Sequence, residues 1–142
     1  MPRADFAFSH RIRVRWSEVD PQGVVFNARY LDFADVAVTE YYRAAREAGL
    51  WRDRDMQFHV RHATVDFRKP MLADELIDLF IRTKAIGRTS ATTMIEMHGA
   101  DKEDLRAVVE LVAVHVDLSD HRPRPLPEWY AAAFAKIDRH LV

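Results

Sequence analysis

Cysteine is absent from the 142 residues. That removes disulfides, thiolate zinc sites, iron–sulfur clusters and a cysteine nucleophile together, and it fits a reducing compartment. Glycine is scarce. Gly23, Gly49, Gly87 and Gly99 are too far apart to form a phosphate-cradling loop or a dinucleotide fingerprint. No serine stands in a G-x-S-x-G elbow, and H-E-x-x-H does not occur. No apolar run approaches the roughly 20 residues of a membrane span, and the opening MPRADFAFSH has no signal-peptide core. An excess of charge is missing too. The 21 basic and 22 acidic residues leave a net charge of -1, which argues against nucleic acid or an anionic membrane as partner. These absences together suggest a cytoplasmic protein.

What is present supports an ordinary core. Hydrophobic residues make up 49% of the chain, and a chain of this size buries roughly 68–70% of its unfolded surface. We expect a single domain over residues 1–142. Arginine far outnumbers lysine, a bias that suits phosphate recognition.

The first segment alternates, with Phe6, Phe8, Ile12, Val14 and Trp16 on one face and Arg11, Arg13 and Arg15 on the other. This reads as a half-buried strand with a solvated or partner-facing basic side. From Ala28 to Ala48 the period becomes helical, with Tyr30, Ala34, Ala37, Tyr41, Ala45 and Ala48 in one stripe. Leu31, Val38 and Tyr42 widen the stripe, so the helix should be buried around much of its circumference. Asn27 fits an N-cap and Gly49 a C′ glycine.

Strands follow. Phe58–Phe67 slips phase near His62 and Ala63, as a bulge would require. Glu75–Ile86 and Thr89–His98 flank a turn at Gly87-Arg88. Leu105–Leu118 is apolar on both faces, so it should be central or covered on both sides. A proline-rich link, Arg122 to Pro127, leads into a short helix carrying Trp129, Tyr130, Phe134, Ile137 and Leu141. An antiparallel sheet curled around the long helix is the simplest way to bury it, giving an α+β fold. One sheet cannot easily cover both faces of such strands, so a dimer is expected.

The chemistry falls to carboxylates. His59 and His62, three apart on a strand, should face opposite sides, and His10, His98 and His115 are scattered. Asp20-Pro21-Gln22-Gly23 lies between a strand and the long helix. These four residues spell a type I turn by themselves. They also run straight into apolar Val24-Val25-Phe26 and a helix start, whose free N–H groups can hold a developing oxyanion. A carboxylate beside such donors suits acyl transfer. Glu18, at the strand edge, reads as a surface residue. Arg88, Thr89 and Ser90 follow a turn and could grip phosphate or simply be exposed.

The stretch Val14-Arg15-Trp16-Ser17-Glu18-Val19-Asp20-Pro21-Gln22-Gly23-Val24-Val25-Phe26-Asn27-Ala28-Arg29-Tyr30-Leu31 resembles the signature of the 4-hydroxybenzoyl-CoA thioesterase family. Val65-Asp66-Phe67-Arg68-Lys69-Pro70 with Asp74-Glu75, and Gly87-Arg88-Thr89-Ser90, are similar to later family segments. The resemblance spans about residues 8 to 118. It implies a hotdog fold, a five-stranded antiparallel sheet around a central helix, with dimers that share active sites and often pair into tetramers. It further implies metal-free hydrolysis of an acyl-CoA thioester, with no cofactor beyond the coenzyme A of the substrate.

On that resemblance Asp20 is catalytic, attacking the carbonyl or activating water. The expected substrate-binding set is Gly23, Val24, Val25, Asn27, Tyr30 and His59, and the coenzyme A set is Arg88, Thr89 and Ser90. Many members carry histidine where this chain has Asn27 and others asparagine, so no side-chain acid role is carried over there. A hotdog dehydratase or hydratase, and an acyl-CoA-binding dimer without catalysis, are the alternatives.

Overall fold

The structure is a computed structural model that describes residues 3–52 and 56–140. Among these residues the order is β1 (Phe8–Arg13), α1 (Arg29–Glu47), β2 (Gln57–Phe67), β3 (Leu76–Ile86), β4 (Ser90–Gly99), β5 (Leu105–Asp117), β6 (Arg122–Pro123) and α2 (Glu128–His140). The strands form one antiparallel sheet in the order β1-β3-β4-β5-β2, with the two-residue β6 added on β5. The fold is α+β, and it is the hotdog arrangement.

The hydrophobic pattern explains the layering. Ile77, Leu79 and Ile81 of β3, Ala91, Ile95 and Met97 of β4, and Ala107, Val109 and Leu111 of β5 form one buried face. Against it α1 lays Tyr30, Phe33, Ala34, Ala37, Tyr41 and Ala45. At 19 residues α1 is roughly 28 Å long. Its other side is open, with Leu31 and Val36 exposed, so burial is one-sided rather than around most of the circumference. Phe33 belongs to the buried stripe in place of Ala48, which is exposed.

The ends of α1 differ in quality. At the C-terminus Gly49 sits at φ +73°, its N–H bonds Arg46 O at 3.0 Å, and the Leu50 N–H bonds Ala45 O at 2.9 Å. This is a Schellman stop, which glycine makes without a Cβ penalty. At the start the cap is Ala28, in helical conformation and without a side-chain bond. Asn27 is therefore not the N-cap. A tight turn, with Arg29 N bonding Phe26 O at 2.9 Å, replaces it.

The bulge in β2 falls between Val60 and His62. It reverses one expectation: His59 stands opposite Val114 and His62 opposite Val112, two residues apart on β5. The extra residue thus puts both histidines on the same face of the sheet. β5 is paired on both sides, by β4 and β2. β1 ends at Arg13, and Trp16 sits in a 3-10 turn, Trp16–Glu18, at 79% exposure rather than in the buried row.

The basic side of β1 is neutralised from within. Arg11 bonds Asp78 at 2.8 Å and Asp101 at 2.5 Å, and Arg13 pairs with Asp74 at 3.2 Å. The helix α2 closes the far end with Tyr130, Phe134 and Ile137 buried; Leu141 lies outside the described residues. Among the described residues no helix is long and apolar enough to cross a membrane.

Candidate active site

The residues between β1 and α1 fold into a small hairpin. Val19 bridges Val25, Asp20 N donates to Val24 O at 2.9 Å, and Gly23 N donates to Asp20 O at 2.9 Å. Pro21 enters the turn and Gly23 follows at φ +79°, a left-handed position that a side-chain-bearing residue adopts only under strain. The turn reading of Asp20-Pro21-Gln22-Gly23 is therefore structurally correct, and it fixes the aspartate. Asp20 Oδ1 accepts the Gln22 N–H at 2.8 Å, while its second oxygen takes no hydrogen bond among the described residues. Asp20 is half-buried, between half-buried Val19 and exposed Pro21.

Glu18 is a correction to the sequence reading. It is 6% exposed, accepting Arg15 N at 2.7 Å and the Arg15 guanidinium at 3.1 Å. Its carbonyl receives the Phe26 N–H at 3.0 Å. The 3-10 turn folds the carboxylate back under the hairpin, so Glu18 closes the base of the loop instead of facing water. The exposed Arg15 guanidinium pairs with the buried Glu18 carboxylate, and that hydrogen bond holds the guanidinium above its usual value.

The other wall is the segment Pro70–Glu75. Val25 N donates to Met71 O at 2.9 Å, and Val24 bridges Leu72. Tyr30, on the first turn of α1, is buried with its ring edge-on to Phe67 at 4.9 Å. Burial raises the Tyr30 phenol, and a backbone hydrogen bond at Met71 partly offsets this. Just past the hairpin, the N–H groups of Asn27 and Ala28 donate to no acceptor among the described residues. Asp20, Gly23, Val24, Val25, Asn27 and Tyr30 thus belong to one constellation. Phe67, Met71 and Leu72 join it. Pattern reading gave none of the three a place in the site, although Phe67 lies within the Val65–Pro70 segment already singled out and Met71 and Leu72 follow it directly.

The remaining expected residues lie elsewhere. The β3–β4 turn holds Arg88, Thr89 and Ser90, with Gly87 N donating to Ser90 O at 2.8 Å. Thr89 O accepts His115 N at 2.8 Å and Arg88 O accepts Leu126 N at 2.9 Å, so the turn is tied down by its backbone. Arg88 is exposed, and no carboxylate pairs with it among the described residues. β3 runs 11 residues from the Asp20 end of the sheet to this turn, roughly 30 Å. His59 also lies at the far end, near the start of β2. Its Nε2 hydrogen-bonds His121 Nδ1 at 3.0 Å, with the rings stacked. Within one chain, then, Arg88–Ser90 and His59 do not meet Asp20.

At the far end a pocket of about 300 Å³ opens between α1 and β2. Tyr42, Trp51, Met56, Phe58 and Leu111 form its apolar wall, with Asp35, Thr39 and Arg46 at its rim. Tyr42 sits 5.0 Å from Trp51 and 5.8 Å from Phe58, so the wall is an aromatic cluster. A larger apolar groove of about 600 Å³, between α1, β1 and α2, carries no residue of the constellation.

The hotdog fold sets the class of protein, and comparison of the whole chain with known proteins gives its family. Residues 14–134 match the thioesterase-like superfamily, and the chain belongs to that family. It is 29% identical over 132 residues to the acyl-CoA thioesterase YbgC of Haemophilus influenzae, covering 92% of this chain and 96% of that protein. It is also 29% identical to the acyl-CoA thioester hydrolase YbgC of Escherichia coli O6:H1, covering 89% and 95%. Among solved structures, a 1,4-dihydroxy-2-naphthoyl-CoA thioesterase from Synechocystis shares the fold at TM-score 0.79 and 19% identity, over 93% of this chain and 98% of the other. A thioesterase from Thermus thermophilus complexed with coenzyme A and Zn superposes at TM-score 0.79 and 25% identity, covering 94% and 96%.

Proposed function

We propose that this protein hydrolyses acyl-CoA thioesters, with Asp20 as the reactive carboxylate. The observation that carries the reading is the loop. Its hairpin holds Asp20 with one oxygen uncommitted, a few residues before the unsatisfied N–H groups of Asn27 and Ala28. In the covalent route the free oxygen adds to the thioester carbon, the C–S bond breaks, and coenzyme A leaves as the thiolate. Water then cleaves the anhydride. In the general-base route Asp20 takes a proton from water as the water oxygen adds to the same carbon, and the tetrahedral intermediate collapses with cleavage of the C–S bond and departure of coenzyme A, leaving the free acid. In both, the negative charge grows on the carbonyl oxygen, where backbone donors at a helix start stabilise it.

The reading requires two copies. A coenzyme A held at Arg88–Ser90 cannot present its thioester to Asp20 of the same chain across roughly 30 Å of strand. β2 ends the sheet with a free edge, and Val60 and Phe67 are exposed on it at 61% and 52%. Antiparallel pairing of two β2 edges about a two-fold axis sets the Phe67 end of one copy beside the Gln57 end of the other. Asp20 of one chain then approaches the aromatic pocket and the Arg88 turn of its partner. In this arrangement the acyl group enters the pocket and the nucleotide end lies along the turn.

Release of free thiol from short-chain, long-chain and aromatic acyl-CoAs tests the reading. Turnover with a preferred acyl group supports it. Stoichiometric binding of acyl-CoA without thiol release assigns the dimer a binding role instead.

A further inference from the structure

Arg106 is a charged residue near the start of a largely apolar strand, and it is 4% exposed. Its Nε donates to Asp104 at 3.0 Å, its Nη1 to Pro70 O at 2.8 Å and to Glu75 at 2.9 Å, and its Nη2 to Glu75 and Asp104 at 2.8 Å each. Glu75 in turn accepts the Leu72 N–H at 2.7 Å, and its backbone carbonyl accepts Val14 N at 2.8 Å. The guanidinium thus grips both ends of the segment Pro70–Glu75. Against that segment the Asp20 hairpin rests, through Val25 N to Met71 O and the Val24–Leu72 bridge. Gly99 makes room for the arrangement, since a Cβ there would collide with the Asp104 carboxylate and press on the Arg106 guanidinium.

A buried ion pair is a poor source of net stability, because desolvation offsets much of the attraction, and in some proteins such a pair is retained because it fixes geometry. We infer that the Arg106–Glu75 pair positions the Asp20 loop, acting through Pro70–Glu75 and never touching substrate. The inference rests on the reading of Asp20 as the reactive carboxylate. An apolar packing residue could fill the same volume. Only a bidentate fork fixes a carbonyl and a carboxylate at once.

The test uses Arg106→Lys, which keeps the charge and loses the fork, with two readouts. Steady-state kinetics on the best thioester of the panel should show kcat down about 10- to 100-fold, the scale of a small misplacement of a reacting group, with KM within about twofold. Amide exchange should show Val25 exchanging faster while the β4 amides stay as protected as in wild type. Wild-type kcat together with wild-type Val25 protection overturns the inference. So does faster exchange spread evenly over the sheet, which marks a merely structural role. If Arg106→Lys does not fold, Glu75→Gln carries the same two readouts. If wild type cleaves no thioester while Val25 is still released in the variant, the brace stands and the role given to Asp20 falls.

Discussion

The two oxygens of Asp20 have different surroundings, and that difference is the basis of the proposed chemistry. One is held by the Gln22 N–H, which fixes the carboxylate plane, and the other is uncommitted. Elsewhere single side chains tie elements together. Tyr41, with no exposed surface, donates to Asp138 at 2.6 Å, and Asp138 also accepts Thr83 N at 3.1 Å. Burial raises the Asp138 carboxyl, so its charged form depends on these donors. Tyr41→Phe should cost about 1–3 kcal/mol, the cost of stranding a buried acceptor, read as a lower denaturant midpoint with an unchanged slope. The aspartate, its glycine and the helix tyrosine were legible in the sequence because turn chemistry and helical period are local. Glu18 was not, since its burial depends on a 3-10 turn that folds it back on Arg15. Nor was the partner of His59, because His121 lies 62 residues away in sequence.

Among the elements, β2 is the least satisfied. It is exposed along most of its length, yet it carries Val60 and Phe67 on a free edge. A lone exposed strand edge with apolar side chains invites pairing. Val60→Asp should therefore shift the protein toward monomer in analytical ultracentrifugation and lower thiol release at least tenfold in the same samples. A monomer with full activity would remove the shared site. The pattern of strand, long helix and four strands could be read from periodicity, and so could the Schellman stop at Gly49. The faces of His59 and His62 could not. A bulge is visible as a phase slip, but it must be counted into the alternation before the faces are assigned.

At the scale of the whole molecule, acidic residues are placed against arginines around the Pro70–Glu75 segment and the β1 edge. Hydrogen bonds from Arg106 hold Glu75 below its usual value, and those from Arg106 and Lys69 hold Asp104 well below. Burial pushes Asp78 up, but bonds from Arg11 and the Asp101 backbone outweigh it. Each carboxylate is more acidic in the folded state than in the unfolded chain. Their contribution is complete above the unfolded values, near pH 4, and fades as pH falls through the depressed ones. Melting temperature should stay level from neutral pH to about 5 and drop steeply below about 4. Arg106→Met should flatten that drop. An acid limb identical in the variant would show that the network does not set it.

If Asp20 performs the hydrolysis, replacing one of its carboxylate oxygens with an amide must remove the activity. Asp20→Asn keeps the size of the side chain and the acceptor for the Gln22 N–H. Thiol release by this variant should fall by at least about a thousandfold, roughly 4 kcal/mol of transition-state stabilisation, with sedimentation unchanged from wild type. Hydrolysis within tenfold of wild type, in a variant whose assembly is intact, would rule out Asp20 as the reactive carboxylate.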